Sequence, residues 1–343
     1  MLAAVLTGPG RLELVERPEE PDPGPGEVLV AVRRVGICGT DYHAYDGTQN
    51  FIEYPCVLGH ELAVEVLAVG RDVTRVAPGD RCAVMPYLSC GACVACRRGR
   101  SNCCERIEVL GVTRPGGLRE RMLLPAAQLF PGDGLALEQL VLVETLGIGW
   151  HAVRRAAPGP DDTVLVLGAG PVGLAVAQAA RRTAARVLLA DPVPRRVGFA
   201  AGAGLHAFVV GGDLVARVRE HAAGELPSVV FDASGNHASM ERAFELVGPG
   251  GRLVFVGHTR GVVTFANPRF HASEVTLHAS RNATAQDWEQ VLAAVRDGSL
   301  DATAWVNHRS TLTSVVDDLP RLASSPGHVV KAVVDLGPEE ERP

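Results

Sequence analysis

Apolar positions along the chain change their spacing near residue 150. Before it, strand-length runs at residues 27–35, 61–69 and 81–84 are separated by Pro and Gly, with Pro78-Gly-Asp80 reading as a turn. Residues 1–6, also apolar, read as a first strand. Turn signals this close together predict a partly closed all-β unit. After residue 150, near-continuous apolar runs at 163–167, 186–191, 208–210, 228–232 and 252–256 alternate with helical patterns at 171–182, 195–203 and 238–247. Such runs imply strands buried on both faces, in a doubly wound parallel sheet. The last stretch holds helical patterns at 285–296 and 313–323 and a strand at 329–335, too little for a core of its own. The expected layout is therefore α/β: a β-rich domain over 1–149, a doubly wound parallel-sheet domain over 150–280, and a segment over 281–343 that returns to complete the first.

Composition narrows the function classes. With 343 residues, 47% of them hydrophobic and 21% charged, the chain has the make-up of a soluble two-domain protein. No apolar run has the length of a membrane span, and residues 1–6 are too short for a signal-peptide core, so a cytoplasmic protein is expected. A net charge of −6 with scattered arginines argues against broad nucleic-acid binding. Lys331 is the only lysine, which reads as the codon bias of a GC-rich bacterial genome.

Gly168-Ala-Gly170-Pro171-Val172-Gly173 follows a predicted strand and opens a predicted helix. Gly168 permits the tight turn, Gly170 lets backbone approach a pyrophosphate, and Gly173 allows close helix–strand packing. The helix N-terminus offers unpaired N–H groups to phosphate, and Pro171 has no intrahelical donor to lose there. Asp191 ends the next strand, where a carboxylate accepts from ribose hydroxyls and repels a 2′-phosphate. NAD is thus expected over NADP, although Arg195 and Arg196 stand close enough to receive that phosphate.

Of eight cysteines, five fall between Cys90 and Cys104 and none beyond. Cys90-Gly-Ala-Cys93-Val-Ala-Cys96 followed by Cys104 places four thiolates where they can close a tetrahedron around Zn²⁺, a structural site; Cys103 is an alternative fourth ligand. A second, dispersed set comprises Cys38, Thr40, Asp41 and His43, then His60 and Glu61 after Gly59. Here one thiolate and one imidazole suit a zinc that keeps an exchangeable position.

With these motifs in this order, the chain resembles the zinc-containing medium-chain dehydrogenase/reductase family over nearly its whole length. The resemblance implies a GroES-like catalytic domain, a Rossmann domain, NAD, and two zinc ions. It implies Cys38 and His60 as catalytic ligands and Cys90, Cys93, Cys96 and Cys104 as structural ones, with Cys56 and Cys82 left to the core. Classical alcohol dehydrogenases carry a further cysteine before the Rossmann domain. This chain has Glu144 there, like the sorbitol, threonine and sugar-acid dehydrogenase branch, although Thr145 replaces the proline usual in those relatives. Similarity to the sorbitol type favours Glu61 as the direct third ligand, with Glu144 acting through water or by exchange. Thr40 and His43 are implied as the proton path, through the nicotinamide ribose, and Asp41 as structural.

Arg281, in Ser280-Arg-Asn-Ala-Thr284, resembles the arginine of sorbitol-type enzymes near the substrate; bracing the domain junction is its other reading. The segment also resembles a subgroup acting on sugar acids such as L-galactonate or L-gulonate. The expected reaction is hydride transfer between a secondary alcohol on a polyol, sugar acid or cyclitol and NAD, in a homodimer or homotetramer. Threonine or a simple alcohol is the rival substrate by the same mechanism. A zinc-free reductase or a non-catalytic NAD-binding homologue is the rival class, disfavoured by the intact Cys38, Thr40, His43, His60 and Glu61 set.

Overall fold

The computed structural model describes residues 1–183, 186–324 and 327–337. The chain divides into two compact units: Met1–Glu144 together with the chain from Thr284 onward, and Thr145–Ala283. The first division falls in the opening turn of the helix Val143–Ala156.

In the first unit, the strand Glu27–Ile37 is the centre of a seven-stranded sheet. It pairs antiparallel with Glu61–Val69 along one edge. Along the other it pairs with Arg121–Pro125 near its start and Lys331–Asp335 near its end. The return segment thus contributes a strand to the middle of the first sheet. Register fixes what meets there. Gly36 lies opposite Glu61, and Ile37 opposite Ala332. Side chains alternate across a pleated sheet, so Lys331, one residue before Ala332, shares a face with Gly36 and Glu61. A core of aliphatic side chains, among them Val30, Val35, Leu62, Leu118, Met122 and Val334, packs within this unit.

A charged ring ties the return segment to that central strand. Arg34, only 7% exposed, pairs through Nε with Asp335 at 3.1 Å and through its other arm with Glu138. Arg309 contacts the same two carboxylates from a more exposed position, at 3.0 Å to Asp335 and 2.5 Å to Glu138. Breaking a buried pair leaves an uncompensated charge, so Arg34→Met is expected to destabilise by about 3 kcal/mol. Arg309→Met, at a position 35% exposed, is expected to cost under about 1 kcal/mol. Urea denaturation of the two variants checks the order, and equal losses would refute it.

The second unit carries a six-stranded, wholly parallel sheet in the order His206–Val209, Arg186–Asp191, Thr163–Leu167, Val229–Asp232, Arg252–Phe255, Thr276–Ala279. The strands between are joined by helices, including Pro171–Arg181, Pro194–Gly202 and His237–Leu246. Thr163–Leu167 comes first in the unit and lies in its middle. The strand order reverses beside it, the crevice where doubly wound sheets hold ligands.

Candidate active site and metal centres

The four-cysteine lobe is local. Cys90, Cys93, Cys96 and Cys104 have sulfurs all within 4.8 Å of one another. Cys93 Sγ lies 3.5 Å from Cys96 Sγ and 3.9 Å from Cys104 Sγ. A tetrahedron with Zn–S bonds of about 2.3 Å has S···S edges of about 3.8 Å, so the donor set fits zinc. Backbone amides prepare the thiolates. Those of Ala92 and Cys93 bring the Cys90 thiol down to about 6, and those of Cys96 and Glu105 lower Cys93. Burial and the neighbouring Cys93 push Cys96 up to about 11. A cation shared by all four sulfurs offsets that cost. Cys103 is exposed and outside the group.

The second group is assembled from distant segments. Cys38 precedes the helix Gly39–Tyr45, and His60 and Glu61 stand at the start of the strand Glu61–Val69. Ligand atoms of Cys38, His60 and Glu61 lie within 4.8 Å of one another. Asp41, fully buried, holds the two loops together. Its Oδ2 accepts from Cys38 N at 2.9 Å and its Oδ1 from Gly59 N at 3.3 Å. Glycine at 36 makes room for Glu61 as it stands: a Cβ there would lie 2.0 Å from Glu61 Oε2 and 3.0 Å from its Cβ, and would force the carboxylate to shift.

Glu144 is buried in the first turn of Val143–Ala156, outside the three-residue group, and accepts from the Tyr87 hydroxyl. Burial raises the Glu144 carboxyl against the opposing pull of His60. Burial likewise lifts the Tyr87 phenol well above its ordinary range, reinforced by Glu144. For His60, burial opposes charge, but Asp41 and Cys38 outweigh it and hold the imidazole well above its ordinary value. His60 Nδ1 is buried without a hydrogen-bond partner among the described residues, 3.9 Å from Asp41 Oδ1. A thiol and three carboxylates crowded on one imidazole and one ammonium, that of Lys331, suit a divalent cation. Thr40 Oγ1 lies 3.9 Å from Cys38 Sγ, while His43 is exposed with Nδ1 3.1 Å from Thr48 Oγ1.

Sequence reasoning passes over Lys331, Tyr87 and Gly36. Lys331 had a visible signal, its uniqueness. Tyr87 had none.

In the second unit, Gly168 has φ +102°, and a Cβ at Gly173 would stand 1.8 Å from Gly168 O. Gly170 caps the helix Pro171–Arg181, with Val172 in the first turn, and a Cβ on it would meet no protein atom within 4 Å. Its bareness therefore leaves an open cradle of the kind a pyrophosphate fills. Asp191 accepts from Ala169 N and Val193 N, both at 2.8 Å, and Arg196 stands 3.8 Å from it. Arg281 is exposed on the connection after Thr276–Ala279.

Comparison with known proteins agrees with this arrangement. Residues 24–134 match the alcohol dehydrogenase GroES-like domain, and residues 171–297 match the zinc-binding dehydrogenase model. The chain is 39% identical to L-galactonate-5-dehydrogenase of Escherichia coli K12, over 94% of this chain and 96% of that one. It is 31% identical to L-idonate 5-dehydrogenase of Vitis vinifera, over 92% and 90%. Among solved structures, an Escherichia coli alcohol dehydrogenase complexed with NADH superposes with a TM-score of 0.90 at 28% identity, covering 98% of this chain and 99% of that one. A zinc-binding dehydrogenase from Sinorhizobium meliloti bound to NADP gives 0.89 at 28%, covering 97% and 98%. The chain belongs to the zinc-containing medium-chain dehydrogenase/reductase family. It is an oxidoreductase with a GroES-like unit and a Rossmann unit, acting on a small-molecule alcohol.

Proposed function

We propose that this protein is an NAD-linked, zinc-dependent dehydrogenase that oxidises a secondary hydroxyl of a sugar acid. The observation that carries the reading is the Cys38, His60 and Glu61 group, its histidine and glutamate buried and its cysteine half-buried, with the buried Glu144 bonded to Tyr87 close enough to feel both His60 and Glu61. Similarity to L-galactonate and L-idonate 5-dehydrogenases supports the substrate class. When bound, zinc polarises the hydroxyl oxygen and the nicotinamide takes the hydride.

Cys38 and His60 would hold the catalytic zinc, with Glu61 as third ligand and Glu144 acting through water or by exchange. Cys90, Cys93, Cys96 and Cys104 would hold the structural zinc. Thr40 and His43 carry the proton outward, a hydroxyl both donating and accepting and an imidazole able to donate at one ring nitrogen and accept at the other. The cradle from Gly168 to Gly173 receives the pyrophosphate, and Asp191 the adenosine ribose, flanked by Arg196. Arg281 contributes to the substrate's hydroxyl or carboxylate. The unit completed by the return segment carries the chemistry, and Thr145–Ala283 the dinucleotide. The thiolate sites suit a reducing cytoplasm, and no described helix is long and apolar enough to cross a membrane. Thr276–Ala279 is an edge strand with Leu277 41% exposed, which supports a homo-oligomer joined along it.

The direct test is NADH formation by zinc-loaded protein across sugar acids, polyols, cyclitols, threonine and simple alcohols. Turnover centred on sugar acids is expected; preference for threonine or a short primary alcohol would overturn the substrate class. For the cofactor, Asp191→Asn removes the charge that repels a 2′-phosphate. The NAD-over-NADP ratio of kcat/KM is expected to fall by about tenfold, the ~1.4 kcal/mol of one modest charge contact. An unchanged ratio would place cofactor discrimination elsewhere.

A further inference from the structure

Among 33 basic side chains the protein uses lysine once, and that lysine is 1% exposed. Lys331 opens the strand Lys331–Asp335, its backbone fixed by Asn307, whose Oδ1 accepts from Val330 N at 2.9 Å and Lys331 N at 3.3 Å. Its Nζ donates to Glu61 Oε1 at 2.5 Å and also pairs with Oε2. Glu61 in turn offers a carboxylate oxygen within 4.8 Å of the ligand atoms of Cys38 and His60. One carboxylate therefore pairs through both oxygens with an ammonium while standing within 4.8 Å of ligand atoms of Cys38 and His60.

The choice of cation has a physical consequence. A guanidinium grips a carboxylate through two parallel hydrogen bonds and fixes its plane. An ammonium is a point charge about which the carboxylate can turn without losing the attraction. Arginine serves at every other basic position, including the two of the Asp335–Glu138 ring. The exception stands against a carboxylate that also faces a candidate metal site.

We propose that Lys331 is a positioning residue that shares Glu61 with the active-site metal and so sets how firmly Glu61 ligates it. The inference rests on the metal reading of the Cys38 and His60 site. With the ammonium removed, Glu61 would have the metal as its nearest counter-charge and would hold it more firmly. With a guanidinium in its place, Glu61 is held back and the metal is bound less firmly.

The test loads the protein with cobalt and follows the visible thiolate–cobalt absorption as a chelator strips the metal. The four-thiolate lobe, common to all variants, cancels in difference spectra. Lys331→Met is expected to release active-site cobalt about tenfold more slowly than the natural protein, and Lys331→Arg about tenfold faster, the scale of changes around metal ligands. A lysine that only braced the fold would speed release in both variants, so that result overturns the proposal, as does an unchanged rate in both. In a Glu61→Gln background the three proteins should release cobalt alike; a surviving difference would show that Lys331 does not act through Glu61. If Lys331→Met yields no folded protein, Lys331→Gln, which also removes the charge, takes its place with the same expected sign. Cys38→Ser separates the two claims: if it leaves the cobalt spectrum unchanged, the metal reading itself is wrong, whereas a changed spectrum with the wrong order of rates refutes only the role of Lys331.

Discussion

Replacing His60 by alanine is expected to lower kcat/KM for alcohol oxidation by roughly 10³-fold, the ~4 kcal/mol that a Lewis-acid metal supplies. Zinc content should fall from two ions per chain to one. The physical ground is the crowding described above. His60 is 6% exposed, and its imidazole is held far up its titration range by Asp41 and Cys38. In the absence of metal, that cationic imidazole balances part of the negative charge. Alanine removes both a ligand and this balance, leaving Glu61 to press unopposed by His60 on Glu144. Metal analysis and steady-state kinetics on one preparation decide the matter. Full turnover with a single zinc per chain would show that the Cys38 group is not the reaction centre.

The second large effect concerns the thiolate lobe. Cys104→Ser should release the structural zinc and unravel the segment from Cys90 to Cys104, whose described elements are one short helix, Val94–Arg97, and one 3₁₀ turn, Ser101–Cys103. So little regular structure cannot hold itself, and zinc in a closed site contributes on the order of 10 kcal/mol to folding. Trypsin should then cut in the Arg97 to Arg106 stretch, where the zinc-loaded protein resists. Cys103→Ser, at an exposed sulfur outside the group, should leave zinc content and cleavage unchanged. If Cys103→Ser loses zinc and Cys104→Ser does not, the fourth ligand has been misassigned.

The parts of the fold legible in the sequence are those governed by short-range rules. The Gly168-to-Gly173 loop is readable because tight turn, helix start and close packing all act within six residues. The cysteine lobe is readable because its four clustered thiols lie within fifteen residues. The buried parallel strands announce themselves by unbroken apolar runs, as in Thr163–Leu167. Val306–Thr311 does not, since its sequence, VNHRST, carries one aliphatic side chain; it becomes a strand at the sheet's edge because Lys331–Asp335 lies alongside. Thr276–Ala279, a half-exposed edge strand, is silent for the same reason. At the site, the candidate ligand types are visible one by one, but their partners are not. Tyr87 meets Glu144 across 57 residues, and Lys331 meets Glu61 across 270. Such pairs depend on strand register, which no local pattern specifies. The single lysine carries information that charge counting alone reads as composition.

The return strand also imposes a timetable on synthesis. The unit Thr145–Ala283 is continuous and can close while the chain is still lengthening, whereas the unit begun at Met1 lacks part of its central sheet until Lys331–Asp335 arrives. With 270 residues between Glu61 and Lys331, and translation at 5–20 residues per second, the interval is roughly 15–50 s. Throughout it, Cys38, His60 and Glu61 are already made while the ammonium that will share Glu61 does not yet exist. In that window the edge of Glu27–Ile37 that Lys331–Asp335 covers in the finished protein is still open, a strand edge awaiting its last partner.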